Sequence, residues 1–183
     1  IDRKTIEKFD KLFQNVSHSL NIKATIVGSY RRGSNNSGDI DVLITPNKLK
    51  SFVDMCKVKS VPTLSEDLSF GAKKWMGVGT DIERDIRVDI LGTTEKEYPF
   101  SLLYFTGSDD FNKGMRAHAL TMGYSLNEYE LKGYKGKIES EEDIFKALKL
   151  KYVKPEDRKY FSNSLKKSST QPFLSEKVAS IPK

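Results

Sequence analysis

One cysteine, no apolar run approaching the ~20 residues that span a bilayer, and no block of like charge: the sequence is short of all three. Each shortage removes a class of protein. Cys56 cannot form an internal disulfide and has no metal-ligand spacing around it, so a structural thiol in a reducing intracellular compartment is expected. The missing apolar run excludes a spanning helix, and no signal-peptide pattern opens the chain, which makes the sequons at Asn15 and Asn35 chance matches. No internal repeat is present. The sequence begins at Ile1 rather than methionine, and is read as a piece of something longer with domains missing upstream.

What is present fits a globular chain. With 183 residues and 37% hydrophobic content, it can bury one sizeable core or two small lobes sharing a cleft. Against 25 Asp and Glu stand 31 Lys and Arg, a net charge of +6 that leans to the C-terminal part. That balance suits a polyanionic partner as well as an ordinary basic protein.

Ile6, Phe9, Leu12, Phe13, Val16 and Leu20 fall at helical spacing and predict an opening amphipathic helix. Ala24 to Val27 reads as a short buried strand, broken by Gly28-Ser29; a polar loop from Gly33 to Gly38 leads to a second strand, Ile40 to Ile44, closed by Pro46. Leu49 to Cys56 predicts a helix and Lys73 to Val78 an edge strand. In Asp85 to Leu91 the alternation is strict, with Ile86, Val88 and Ile90 facing one way and Arg87 and Asp89 the other. A lobe boundary is placed around Tyr98 to Leu103. Beyond it, Phe111, Met115, Ala119 and Met122 mark a helix with Asp109 or Asp110 as its N-cap, and with Asn112 and Arg116 on one polar face. Leu126 to Ile138 suggests a hairpin, and Ser140 with Asp143 resembles a capping box. The organisation expected is 1–100, 101–158, and a Ser- and Lys-rich tail over 159–183.

The chemistry concentrates in Gly28-Ser-Tyr-Arg-Arg-Gly and Gly38-Asp-Ile-Asp-Val-Leu. Side chains at i and i+2 of a strand point the same way, roughly 6.5–7 Å apart, so Asp39 and Asp41 converge. Unpaired they repel, whereas a divalent cation keeps both ionised; hard oxygen ligands suit Mg²⁺. Gly28-Ser29 opens a turn that offers backbone N–H groups, a hydroxyl and the guanidinium forks of Arg31 and Arg32 to a phosphate chain. Asp89, on a separate strand, could complete a three-carboxylate cluster. Each part has a plain reading: a solvated acid pair, an ordinary turn with surface arginines, an ion pair at Asp89. A phosphate cradle, a paired carboxylate and a third carboxylate in this order point to nucleotidyl transfer.

These segments, with Arg87-Val-Asp-Ile and Tyr104-Phe-Thr-Gly-Ser-Asp-Asp-Phe-Asn-Lys-Gly-Met-Arg-Ala-His-Ala119, resemble family X DNA polymerases of the polymerase beta type. The resemblance runs from about Ile22 through Ser140-Glu-Glu-Asp-Ile-Phe to Tyr152-Val-Lys-Pro-Glu-Asp-Arg158. It covers the palm and nascent-base-pair parts of such enzymes; nothing matches their N-terminal lyase or helix-hairpin-helix lobes. The resemblance implies an α+β nucleotidyltransferase palm, a mixed sheet flanked by helices, with a smaller C-terminal α/β lobe. It assigns Asp39, Asp41 and Asp89 to two Mg²⁺ ions, with Mn²⁺ as a substitute, and sets Arg87 beside them. Gly28, Ser29, Arg32 and Gly38 fall to the triphosphate side. Tyr104, Phe105, Gly107, Asp109 and Asn112 fall to the incoming nucleotide, and Tyr104, Lys113, Arg116 and Tyr129 to DNA. The implied reaction is template-directed addition of a deoxynucleotide to a primer 3′ end, in gap-filling repair, on primer-template or gapped DNA, with other repair proteins as possible partners and the nucleus as the compartment in a eukaryote. Template-independent addition by the same site, and a catalytically silent module that binds DNA ends, are the alternatives. Tyr104-Phe105 stands where the terminal-transferase-like branch carries Gly-Trp, which favours the templated branch.

Overall fold

Asp2 starts the first helix: its carboxylate accepts the Thr5 amide at 2.9 Å, one of the otherwise unsatisfied donors of a helix N-terminus. The helix, α1 (Arg3–Leu20), ends at Asn21, which takes the left-handed conformation that asparagine tolerates. The computed structural model to which it belongs describes residues 1–167; the expected tail lies outside the described residues from 168 onward.

Five strands follow in the first half: β1 (Lys23–Ile26), β2 (Ile40–Thr45), β3 (Thr63–Phe70), β4 (Lys74–Thr80) and β5 (Asp85–Gly92). Their order is β1-β2-β5-β4-β3, with β2 and β5 parallel and the other neighbours antiparallel. The short helix α2 (Gly28–Arg31) and α3 (Leu49–Cys56) lie between the strands. Alternation assigns the faces. Ile40, Val42 and Ile44 join Ile86, Val88 and Ile90 in one buried layer against Phe9 and Phe13 of α1 and Phe52 of α3. On the other face Leu43 is covered by Tyr98 of α4 (Tyr98–Thr106), with Val27, Leu91, Leu102 and Phe105 around them. Asp41, Arg87 and Asp89 share that second face, Arg87 exposed and the two acids half-buried.

The segment from Lys73, expected as an edge strand, is internal: β4 lies between β5 and β3. The edge is β3, whose alternation is erased by exposed residues from Ser65 to Phe70 and by two register shifts, so its pattern did not announce a strand. β4 crosses closely over this edge because Gly77 has no side chain. A Cβ there would collide with the Trp75 ring and the Glu66 carbonyl, and Trp75 is held by its indole N–H donating to Asp67 at 2.8 Å. Gly77→Ala is therefore expected to cost about 1–3 kcal/mol through overpacking, read as a lower urea midpoint; an unchanged midpoint would contradict this account of the strand.

The second half packs α5 (Asp109–Thr121), the hairpin β6 (Ser125–Leu126) and β7 (Leu131–Lys132), and α6 (Glu141–Ala147) around Phe111, Met115, Ile144 and Phe145. α4 runs through the segment where the lobe boundary was placed, and Phe100 and Leu103 on it join this second core. The N-cap of α5 is Ser108, not Asp109 or Asp110; its Oγ accepts the Phe111 amide at 3.1 Å, and the two acids occupy the first turn. Ser140 caps α6, while Asp143 reaches back to the Glu139 amide at 2.8 Å, one residue earlier than in a regular capping box. Lys151 donates its amide to Leu165, and Phe161 and Leu165 pack on the second core. None of the described helices is long and apolar enough to cross a membrane.

Candidate active site

Asp41 and Asp89 stand in register on the adjacent parallel strands β2 and β5, which sets their Cα atoms about 4.8 Å apart. Asp39 precedes β2 and is exposed at the end of the loop. Arg87, two residues before Asp89 on the same face, donates to it at 3.2 Å. Burial pushes the Asp41 carboxyl up to about 6, and the charges of Asp39 and Asp89 push in the same direction against a smaller pull from Lys74 and Arg87. Among the described residues no three acidic, histidine or cysteine side chains close a ligand set; Asp89 is drawn toward Arg87 and Asp39 faces solvent. The chemistry still fits a hard divalent cation: oxygen donors only, and one carboxyl pushed up by burial and by like charges that a cation would neutralise.

That conflict has a measurable sign. The folded-state pKa of Asp41 lies above its unfolded value, so ionising it costs the folded state as pH rises through about 6. In EDTA, Asp41→Asn is expected to melt higher than wild type at pH 7.5, by about 2–4 °C per kcal/mol released, with the gain shrinking as pH falls and gone only below the unfolded value of 3.8. Equal melting of mutant and wild type at pH 7.5 would show that ionising Asp41 costs the fold nothing.

Gly28 follows β1 at φ +66°, a conformation that a side chain strains, and a Cβ there would sit 3.5 Å from Asp41 Oδ2. The turn thus brings its backbone against the carboxylate. Ser29 and Ser37 share a hydroxyl–hydroxyl hydrogen bond at 2.7 Å. Arg32, partly exposed, donates to the Thr106 carbonyl at 2.6 Å, and its Nη1 lies 3.1 Å from where a Cβ of Gly107 would be. Gly28 therefore adjoins Asp41, and Arg32 adjoins Gly107. Arg31 does not serve as the expected free fork: it donates to Thr106 Oγ1 at 2.8 Å and to both carboxylate oxygens of Glu141 at 2.9 Å.

Past Gly107 the site continues along α5. Asp109 is exposed in its first turn, whereas Asn112 is buried rather than on a polar face, its amide N–H₂ donating to the Tyr104 carbonyl at 2.8 Å. The Arg116 guanidinium lies 5.9 Å from the Tyr104 ring, and Tyr104 meets Phe105 edge-on at 5.0 Å. Tyr104, Asn112 and Arg116 line one narrow apolar cleft with Phe100, Leu126 and Asn127. Phe105 is half-buried against the core under α4. Gly38 is exposed in the loop and Lys113 exposed on α5, whereas Tyr129, exposed between β6 and β7, donates its amide to Asn127 Oδ1 at 2.8 Å.

The sequence reading missed the groups that hold this arrangement. Arg3 donates to the carbonyls of Tyr30 at 2.8 Å and Ser34 at 3.1 Å and stacks 4.0 Å over the Tyr30 ring. Glu141 and Arg158 are both buried, and Arg158 donates to the two Glu141 oxygens at 2.9 and 3.0 Å. An acid among Glu141, Glu142 and Asp143 reads as the solvated first turn of a helix, so nothing in the local pattern marks Glu141.

Residues 1–95 match the family described as DNA polymerase beta palm, and residues 101–159 the one described as DNA polymerase beta thumb. DNA polymerase lambda of Rattus norvegicus is 35% identical over 159 residues, covering 72% of this chain and 28% of that protein. DNA polymerase lambda of Arabidopsis thaliana is 27% identical over 193 residues, covering 86% of this chain and 36% of that protein. The chain thus spans about a third of the length of these curated relatives.

Proposed function

The chain belongs to the family X DNA polymerases of the polymerase beta type, and from that membership we propose that it carries the catalytic part of a templated, gap-filling DNA polymerase. The observation that carries the proposal is the in-register pair Asp41 and Asp89 with the Gly28 backbone closed against Asp41. In the reaction the primer 3′ oxygen bonds to the α-phosphorus of a deoxynucleoside triphosphate while the bond to the β-phosphate breaks, releasing pyrophosphate.

Asp39 and Asp41 would hold both of two Mg²⁺ ions and Asp89 only the one near the primer 3′-OH, with Mn²⁺ as a substitute. Bound there, such ions lower the pKa of the attacking hydroxyl and neutralise charge on the leaving phosphates. The chain's own groups do the rest. Ser29, Arg32 and Gly38 orient the triphosphate, and Arg87, paired with Asp89, helps to hold that carboxylate in place. Phe105, Gly107, Asp109 and Asn112 seat the base and sugar, and Tyr104, Lys113, Arg116 and Tyr129 meet the duplex. We assign residues 1–100 to the palm and 101–158 to the lobe that closes on the nascent pair. In a eukaryote such work belongs to the nucleus, within base excision repair.

Primer extension on a one-nucleotide gap, set beside the same primer as a single strand, tests the reading. Addition of one templated nucleotide in the gap is the expected result. Extension of the single strand without regard to template would favour untemplated addition, and binding to DNA ends without extension would favour a silent module.

A further inference from the structure

We propose that the chain carries a second DNA contact outside the active site: a cluster of Lys149, Lys151, Lys166 and Lys167 that takes phosphates of the DNA beyond the nascent pair. The proposal rests on the DNA polymerase reading. Backbone pairing between residues 149–151 and 165–167 builds the cluster. Leu150 and Lys166 form an antiparallel bridge, in which Lys151 donates its amide to the Leu165 carbonyl at 2.8 Å and Lys167 its amide to the Lys149 carbonyl at 2.9 Å. Leu150, buried in the second core, and Leu165, packed against that core, hold the pairing down. The four lysines are exposed.

Residues 159–165 reach this bridge along α5. At the N-cap of that helix the Ser108 hydroxyl donates to the Lys159 carbonyl at 2.6 Å. Farther on, the Phe161 ring lies 5.9 Å from that of Phe111 and 6.1 Å from that of His118, and it covers Gly114, where a Cβ would collide with it. Near the other end of α5, His118 Nε2 donates to the carbonyl of Leu148, the residue before Lys149, at 2.7 Å. The cluster therefore stands by the last turns of the helix whose Lys113 and Arg116 we assign to the duplex. Lys113, Ala117, Leu120 and Thr121, at helical spacing on the exposed face of α5, bring no carboxylate between the two basic groups.

Among the described residues the lysine ion pairs belong to Lys8, Lys50, Lys57 and Lys137, and none to the cluster. A surface shaped for solubility alone intersperses both signs. The C-terminal dipole of α6 accounts for Lys149, just past its end, but not for Lys151 or Lys167. Ammonium groups on a phosphate backbone act as point charges and read no bases, so such a contact holds DNA of any sequence.

The test uses the full chain with Lys151→Gln, Lys166→Gln and Lys167→Gln combined, beside a variant with Arg at the same three positions. Binding to a duplex with a one-nucleotide gap is followed by fluorescence anisotropy over a range of KCl. Each phosphate contact steepens the fall of log affinity with log salt by about 0.9, so the Gln variant is expected to show a slope shallower by about 2 to 3 and binding about tenfold weaker near 0.1 M KCl. The Arg variant keeps the wild-type slope, and the KM for the matched nucleotide at saturating DNA stays unchanged in both. A wild-type slope in the Gln variant overturns the proposal, as does an equal loss in the Arg variant, which would mark a structural role for the lysines. Weaker binding of the Gln variant to phosphatidylserine vesicles with its DNA slope unchanged would assign the cluster to an acidic membrane and overturn it as well. Absence of insertion by the wild type is a separate failure that removes the polymerase reading, and the salt slopes then still decide whether the cluster holds DNA.

Discussion

Replacing Asp89 with asparagine is expected to lower turnover about 10³-fold or more, equivalent to about 4 kcal/mol of transition-state stabilisation, while nucleotide binding stays nearly intact. The division follows from the strands. Asp39 and Asp41 lie at the start of β2, where the Gly28 backbone reaches Asp41; Asp89 belongs to β5 and its neighbour is Arg87. On the proposed assignment the triphosphate would keep its carboxylates and its turn in the mutant, and only the group assigned to the attacking hydroxyl would be neutralised. Asparagine also leaves Arg87 an amide oxygen to meet, which limits structural loss. Nucleotide affinity by equilibrium titration and single-turnover insertion, measured on the same protein, separate the two. Equal loss of both would refute the division of labour, and wild-type turnover would remove Asp89 from the site.

Arg116→Ala is expected to lower insertion on a matched template about 10- to 100-fold, the scale of one good contact to a base edge, with little change in nucleotide affinity. Arg116 stands half-buried beside Asn112 with its guanidinium near the Tyr104 ring, so it is held at the mouth of the cleft rather than free in solvent. A contact completed only over a correctly paired template acts in the closed, reacting state, and its loss falls on turnover. Discrimination between right and wrong nucleotides should narrow too. Insertion rates for the four nucleotides, wild type against mutant, check both statements; a change confined to nucleotide affinity would contradict them.

What could be read from the residues divides along physical lines. The β5 segment announced itself because its alternation of Ile86, Val88 and Ile90 with charges is uninterrupted, and α1 because six apolar residues keep helical spacing. The acids Asp39, Asp41 and Asp89 were singled out because a basic turn, a paired carboxylate and a third acid follow in this order, although each alone has a plain reading. β3 was not, since an exposed edge strand with bulges carries no period. The free fork expected of Arg31 and the polar face expected of Asn112 failed for a related reason: a polar side chain's partner is decided by tertiary contacts, and Glu141 lies 110 residues from Arg31. Arg158, buried and hydrogen-bonded, was given no role because charge in a sequence carries no sign of its burial.

The central claim is that this chain copies a template. Insertion of each of the four deoxynucleotides opposite each of the four template bases, by the wild-type chain with Mg²⁺ in a one-nucleotide gap, tests it most directly. The account predicts that the complementary nucleotide dominates at every template base and that Asp89→Asn abolishes the whole pattern. Insertion at rates independent of the template base would contradict it.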